Sequence, residues 1–527
     1  MSSHTNSHCI QSIPASIFAL TISGTLAYGA ACVVNPSTTP PALDPALRRT
    51  VVVTAMTDAS VFSAADFSLG RTLGNIIKTA PGMVDTQAER IALLTGLVRS
   101  FRATNHVNPD SQVTFPLPPR LAEAALDPVA LLDPANPNGM KVVGLFNRYD
   151  LAPADFKTCG EHRIVYAKNS SNQLDRFLLI FEAALDNPRP DLGAEGCRPI
   201  AQFWDSLKTK TGSDLATSLS KFYYDGLAPG IEPVVHFTNY GMPFGQVRGN
   251  LFKQQPWQLR EWRISLSADG APAFVPVTVK TNPLHSLYAA PTIGENPGIA
   301  ALRQQFQAEF VGSRIAELVA VDQGGIANPE PQADLLFQLG AAFPNRFNGF
   351  ESTSQNNPPH PNENPQEIAT QDLRNKITQR LSQTGIGSAC QLTQEHILNR
   401  AGALSCAGCH QLNAGQPVAP GVNWPESLQF VHIDEAGKLS NALELFFLPA
   451  RQQNLARHLQ ATPASPPSPA NTLSAARGVR QKVLTLNSDQ SRLTAINSLS
   501  EMERLVQAAR SAEQATPGAF ISIRRPH

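Results

Sequence analysis

The chain has 527 residues, with 42 Lys plus Arg balanced by 42 Asp plus Glu and a formal net charge of zero. That length corresponds to about three ordinary domains and can bury at least two cores. With no long basic stripe to neutralise a phosphate backbone, nucleic acid is excluded as an expected partner.

In chain order, residues 1–32 read as an export signal, with a polar start, an apolar run over 17–31 and small residues before Cys32. The run is too short and too rich in Ser, Thr and Gly to span a bilayer. The leader departs from the usual pattern in carrying no Lys or Arg. Cys32, behind Gly29-Ala30-Ala31, has two readings. It is either the lipidated cysteine of a bacterial lipoprotein, giving a membrane tether, or an incidental residue behind an ordinary cleaved signal. Residues 33–48 form a Pro- and Thr-rich linker.

An α+β domain with a mixed or antiparallel sheet is expected over 49–290. Val51, Val52 and Val53 open a buried strand. Helices follow over 67–79 and 88–102, the second with Ile91, Leu94, Leu97 and Val98 at helical spacing. Residues 105–119, with four prolines, read as an irregular connector. Runs at 162–168 and 176–183 predict a β-hairpin, and 200–224 two helical pieces broken near Thr211-Gly212. Strands are expected over 246–252, 257–267 and 273–279. In the middle one Trp262, Ile264 and Leu266 alternate with Glu261, Arg263 and Ser265, which predicts one buried and one wet face.

From 295 to 460 the pattern becomes helical, with a broad apolar face over 299–321 and a polar, proline-rich loop over 345–365 that reads as a boundary or lid. Helices over 366–384 and 393–403 lead into Cys406-Ala407-Gly408-Cys409-His410. An extended piece over 428–433 and a helix over 439–459 come next. Residues 461–527 read as a Pro/Ser linker and a C-terminal helix.

The Cys-x-x-Cys-His stretch carries the sharpest chemistry. Two thiols at this spacing add to the haem vinyl groups and the adjacent imidazole binds the iron, so Cys406, Cys409 and His410 are expected to hold one covalent haem c. An export signal agrees with attachment outside the cytoplasm. Two alternatives stand beside it: a zinc site on Cys390, Cys406, Cys409 and His410, and a short-range disulfide. His432, in Phe430-Val431-His432-Ile433, is the first candidate for a sixth iron ligand, with a hydrogen-bonded core histidine as the competing reading. His396 is a weaker candidate. After the motif the nearest methionine is the distant Met502, so the His/Met pair of small electron carriers is not evident.

Of the seven cysteines, Cys159 and Cys197 are the natural disulfide pair in an oxidising compartment, worth roughly 3–4 kcal/mol in the chain-entropy account. Cys390 is then left as a buried thiol. Asp150, Glu161, His162 and Glu182 are weighed as an acid/base or metal constellation. They are read instead as Arg/carboxylate pairs holding loop ends. His236 and Trp204 read as core.

The segments Asn147-Arg148-Tyr149-Asp150-Leu151-Ala152, Cys159-Gly160-Glu161-His162-Arg163, Gly196-Cys197-Arg198-Pro199 and Trp257-Gln258-Leu259-Arg260-Glu261, together with the haem motif, resemble exported bacterial proteins with a single cytochrome c-type motif and no assigned reaction. The resemblance implies haem at Cys406, Cys409 and His410 and says nothing of substrate. The expected function is electron transfer or another redox role in the periplasm, or at the outer membrane if Cys32 is lipidated, with a redox protein or small molecule as partner. A haem enzyme, peroxidase-like or oxygen-handling, and a non-redox envelope lipoprotein with a structural Cys-x-x-Cys are the alternatives.

Overall fold

A computed structural model describes residues 43–319, 343–354 and 363–460, except positions 154, 169, 171 and 242–244. The leader, Cys32, Met502 and the C-terminal segment 461–527 lie outside the described residues.

The architecture is α+β, built on one eight-stranded antiparallel sheet. Its strands are β1 (Val52–Thr54), β4 (Met140–Arg148), β5 (Thr158–Lys168), β6 (Phe177–Asp186), β7 (Gln246–Leu251) and β8 (Gln258–Leu266), adjacent in that order. β9 (Pro272–Val277) and β10 (Ser352–Thr353) pair with successive parts of the far edge of β8. Within the expected connector, β2 (Asn105–Val107) and β3 (Thr114–Pro116) form a separate small hairpin. A second two-stranded piece joins β11 (Pro417–Ala419) to β12 (Val422–Asn423).

Two cores lie on the two faces of the sheet. On one, Leu145, Ile164, Tyr166, Leu179, Phe181 and Trp262 pack against helices Leu69–Thr79, Gln87–Ser100, Arg198–Ser206 and Gly212–Ser220. Ser68 and Thr86 start the first two helices by accepting bonds from the amides of Arg71 and Glu89. Leu69, Leu73, Ile76 and Ile77 then form one apolar stripe, whose burial contributes about 6–12 kcal/mol before chain entropy is counted. Trp262 meets Phe101 edge-on at 5.7 Å and donates to Ser100 Oγ at 3.0 Å. The disulfide Cys159–Cys197, with Cα atoms 5.3 Å apart, lies on this side, as expected.

The other core packs Phe146, Val165, Leu178 and Leu259 against helices Pro297–Glu309, Gln371–Gln383 and Gln394–Leu404 and the start of Leu448–Gln460. This layer corrects the expectation of a wet sheet face, since Glu261 and Arg263 are 1% and 7% exposed. Charged side chains remain on that face because they pair across strands, as buried ions must. The strand β4 was not evident in the sequence pattern, and it supplies the central partner of both β1 and β5.

One irregularity sets which side of the sheet a key residue faces. Between Thr158 and Glu161, β5 holds one residue more than its partner β6, a bulge with Gly160 at φ +83°. A Cβ at that position would collide with the backbone of Arg148 and Tyr149, so glycine is required there. Cys390 is disulfide-bonded, which corrects its reading as a lone buried thiol and removes it from the zinc set.

Candidate metal and cofactor site

The helix Gln394–Leu404 opens with Thr393 as N-cap, and His396 returns the bond to the Thr393 amide, completing a capping box. His396 is thereby a helix-start residue and stands outside the site. Ser405 then restarts helical geometry: its Oγ accepts from the Gly408 amide at 2.9 Å and its carbonyl from the Cys409 amide at 2.9 Å. Gly408 passes so close to the Gly402 carbonyl that a Cβ would overlap it. Ala407 donates to Ser352 Oγ at 2.9 Å and Trp424 Nε1 to the Cys409 carbonyl at 2.9 Å, fixing the motif's backbone.

Cys406 and Cys409 are buried and are not joined to one another by a disulfide. Cys406, His410 and His432 line a cavity between the charged sheet face and this C-terminal layer. His410 Nδ1 lies 3.1 Å from the Phe430 carbonyl. A carbonyl only accepts, so Nδ1 carries the proton and Nε2 keeps its lone pair, the arrangement of a ligating histidine. Phe430 and Gln429, at φ +70° and +47°, form the two-residue turn between bridged Leu428 and Val431 that brings this carbonyl into place. Two non-glycine residues in this region cost about 1–3 kcal/mol each, strain that the surrounding packing must hold.

His432 is fixed similarly, with Nδ1 3.1 Å from Ser440 Oγ and Nε2 3.5 Å from Cys409 Sγ. The ligand atoms of Cys409, His410 and His432 all lie within 4.8 Å of one another. Burial lowers the His410 pKa to about 4 and, with His410 beside it, lowers that of His432 well below the ordinary value. Both rings are therefore neutral donors at neutral pH. Burial raises the Cys406 thiol to about 11 despite nearby Arg248, so it is protonated there.

Cys406, Cys409 and His410 are the residues that would hold a covalent haem. The His410 and His432 ring centres are 4.0 Å apart. Opposed ligands on one metal place their nitrogens alone about 4 Å apart, so His432 reaches the far axial position only if the rings separate.

The opposite wall was not foreseen as part of the site. Arg163 bonds Glu161 at 2.7 Å and Glu182 at 3.1 Å. Arg248 bonds Glu182 at 2.8 Å and Glu261 at 3.0 Å. Arg148 bonds Asp150 at 2.7 Å, and Arg451, from the last described helix, approaches Asp150 at 3.8 Å. Burial disfavours the Arg248 charge, but Glu182 and Glu261 more than offset this and hold its pKa above the ordinary value. Asp150, Glu161 and Glu182 thus serve as ion-pair partners. His162 turns to the other face, accepting from Trp204 Nε1 at 3.1 Å. The pairing of Asp150, Glu161 and Glu182 with arginines was read from the sequence; that Arg148, Arg163 and Arg248 meet Arg451 across one cavity was not.

No family model, curated protein or solved structure matches the chain.

Proposed function

We propose that the chain is an exported protein of the bacterial cell envelope that carries one haem c on Cys406 and Cys409 and serves electron transfer. The observation carrying this reading is the convergence of both thiols of the Cys-x-x-Cys-His motif with His410 and His432 in one buried region, with His410 Nδ1 committed to a carbonyl. When bound, haem supplies a one-electron couple. The chain's own residues orient His410 through Phe430, orient His432 through Ser440, and keep water from the couple with Phe146, Val165, Leu178 and Ile433. A haem held without a methionine ligand would have a lower potential than one in the His/Met arrangement.

The test is a covalent haem stain on a denaturing gel, with spectra in both oxidation states, of protein exported alongside haem-attachment machinery. Stain and a reducible haem spectrum are expected; absence of stain refutes the reading. Carbon monoxide added to the reduced protein then separates stable six-coordination, which leaves the spectrum unchanged, from an open site suited to an enzyme.

A second reading has its own observation. The 3.5 Å separation of Cys409 Sγ from His432 Nε2 matches two ligands on one tetrahedral ion, with metal–sulfur about 2.3 Å and metal–nitrogen about 2.0 Å. Under it, Cys409, His410 and His432 bind a small transition-metal ion directly. Stoichiometric zinc in unstained protein would establish this reading in place of haem.

A further inference from the structure

We propose that the ion bound by Cys409, His410 and His432 is copper, held as three-coordinate copper(I), and that the site passes electrons by the copper(I)/copper(II) couple. This rests on the second reading above, that of a directly bound ion, and names the metal.

The donors are one sulfur and two imidazoles, with their ligand atoms all within 4.8 Å of one another. His410 comes to the ion by Nε2, because its Nδ1 is held by the Phe430 carbonyl at 3.1 Å. Ser440 Oγ holds His432 Nδ1 at 3.1 Å and leaves Nε2 beside Cys409 Sγ at 3.5 Å. Both rings are thus oriented before an ion arrives, as ligating histidines are. Among the described residues no fourth Cys, His, Asp or Glu joins these three within that distance, and Cys406 lines the cavity outside the group. Glu182, a carboxylate on the same cavity, is held by Arg163 at 3.1 Å and Arg248 at 2.8 Å.

Coordination number and charge then separate the metals. Zinc takes four ligands in protein sites and would need a water or hydroxide to complete them. One thiolate with two imidazoles in a trigonal set is a copper arrangement, and the soft sulfur suits copper(I). Cys409, His410 and His432 are 1%, 8% and 7% exposed. A single thiolate cancels the charge of copper(I) but leaves a divalent ion with one positive charge, which is costly at such burial. Binding breaks the Cys409 S–H bond, forms the copper–sulfur bond and releases the proton to solvent. Copper(I) then gives one electron to an oxidised redox protein, becoming copper(II), and regains one from a reduced redox protein, with no ligand bond made or broken. The added buried charge disfavours copper(II), so the midpoint potential lies above that of aqueous copper.

The experiment uses full-length exported protein from cells supplied with copper and zinc in equal amounts, read by metal analysis and copper X-ray absorption. One copper per chain, bound in the reduced protein by one sulfur and two nitrogens, is expected. Ferricyanide should remove one electron reversibly and bring up an intense visible band of thiolate-to-copper charge transfer. Cys409→Ser should abolish that band. Ser440→Ala, which frees the His432 ring, should weaken copper(I) roughly 10–100-fold in competition with a chromogenic chelator. Stoichiometric zinc without copper overturns the assignment and leaves the ion reading standing, whereas protein with neither metal overturns both. Copper without sulfur in its shell, or with four ligands in the reduced state, overturns the trigonal site. Covalent haem overturns it as well, since attachment consumes the Cys409 sulfur. If the variants do not fold, the absorption spectrum of the unsubstituted protein decides.

Discussion

Glu182→Gln tests the charged layer most directly. Glu182 is 0% exposed and accepts from Arg163 at 3.1 Å, Arg248 at 2.8 Å and the Gln246 side-chain amide. The substitution keeps the shape but removes the charge, and the new amide group points a donor at two guanidinium groups. Removing one partner of a buried ion pair costs about 3–5 kcal/mol, because the other charge stays buried without compensation. Glu444→Gln is the control, since its pair with Arg48 at 3.0 Å is 41% exposed on the Glu444 side and exposed pairs contribute about 0–1 kcal/mol. Urea unfolding followed by tryptophan fluorescence is the assay, with Trp262 on β8 and Trp424 beside Cys409 as buried reporters. A Glu182→Gln loss below about 1 kcal/mol, equal to the control, would refute the claim that this layer is a low-dielectric site held by its ion pairs.

Four other outcomes follow from the geometry. His410→Ala should abolish the normal haem spectrum, and an intact spectrum would disprove the ligand assignment. His432→Ala should leave the stain but make the reduced protein bind carbon monoxide rapidly; unchanged slow binding would show that His432 is not a ligand. Gly408→Ala should destabilise by about 1 kcal/mol net, the roughly 1–3 kcal/mol of overpacking exceeding the ~1 kcal/mol helix gain of alanine, and should lower stained yield; equal stability would refute the Gly402 contact. Burial lowers the His162 pKa from 6.5 to about 3, so its neutral form contributes stability that is complete above about pH 6.5 and lost as pH falls toward 3. The pH dependence of unfolding should therefore be flatter in His162→Gln across that window, and an unchanged slope would count against it.

Much of the helical framework was legible, because Ser68, Thr86 and Thr393 cap stripes with clear 3.6-residue periodicity. The hairpin of β5 and β6 and the strands β7 to β9 were also legible from their β-rich runs. β4 was not, because both of its faces are buried and Gly144, Asn147 and Arg148 break any alternation. The Cys-x-x-Cys-His stretch was readable as a unit because its residues are adjacent in sequence. The arginine wall was not, since Arg148, Arg163, Arg248 and Arg451 lie on four elements and look solvated until the layer containing residues 406–451 covers them.

The extra residue at Gly160 has a consequence for sulfur chemistry. Along β5 the side chains of Glu161, Arg163 and Val165 face the thiol-bearing layer, and an unbroken alternation would aim Cys159 the same way. The bulge turns it to the opposite side, where it meets Cys197. Thiol–disulfide exchange requires one sulfur to attack another directly. With a sheet of backbone between them, Cys406 and Cys409 cannot scramble that crosslink once the fold has closed, and it cannot oxidise them. A single glycine thus lets one chain keep a permanent crosslink and a separate pair of buried thiols on opposite faces of one sheet.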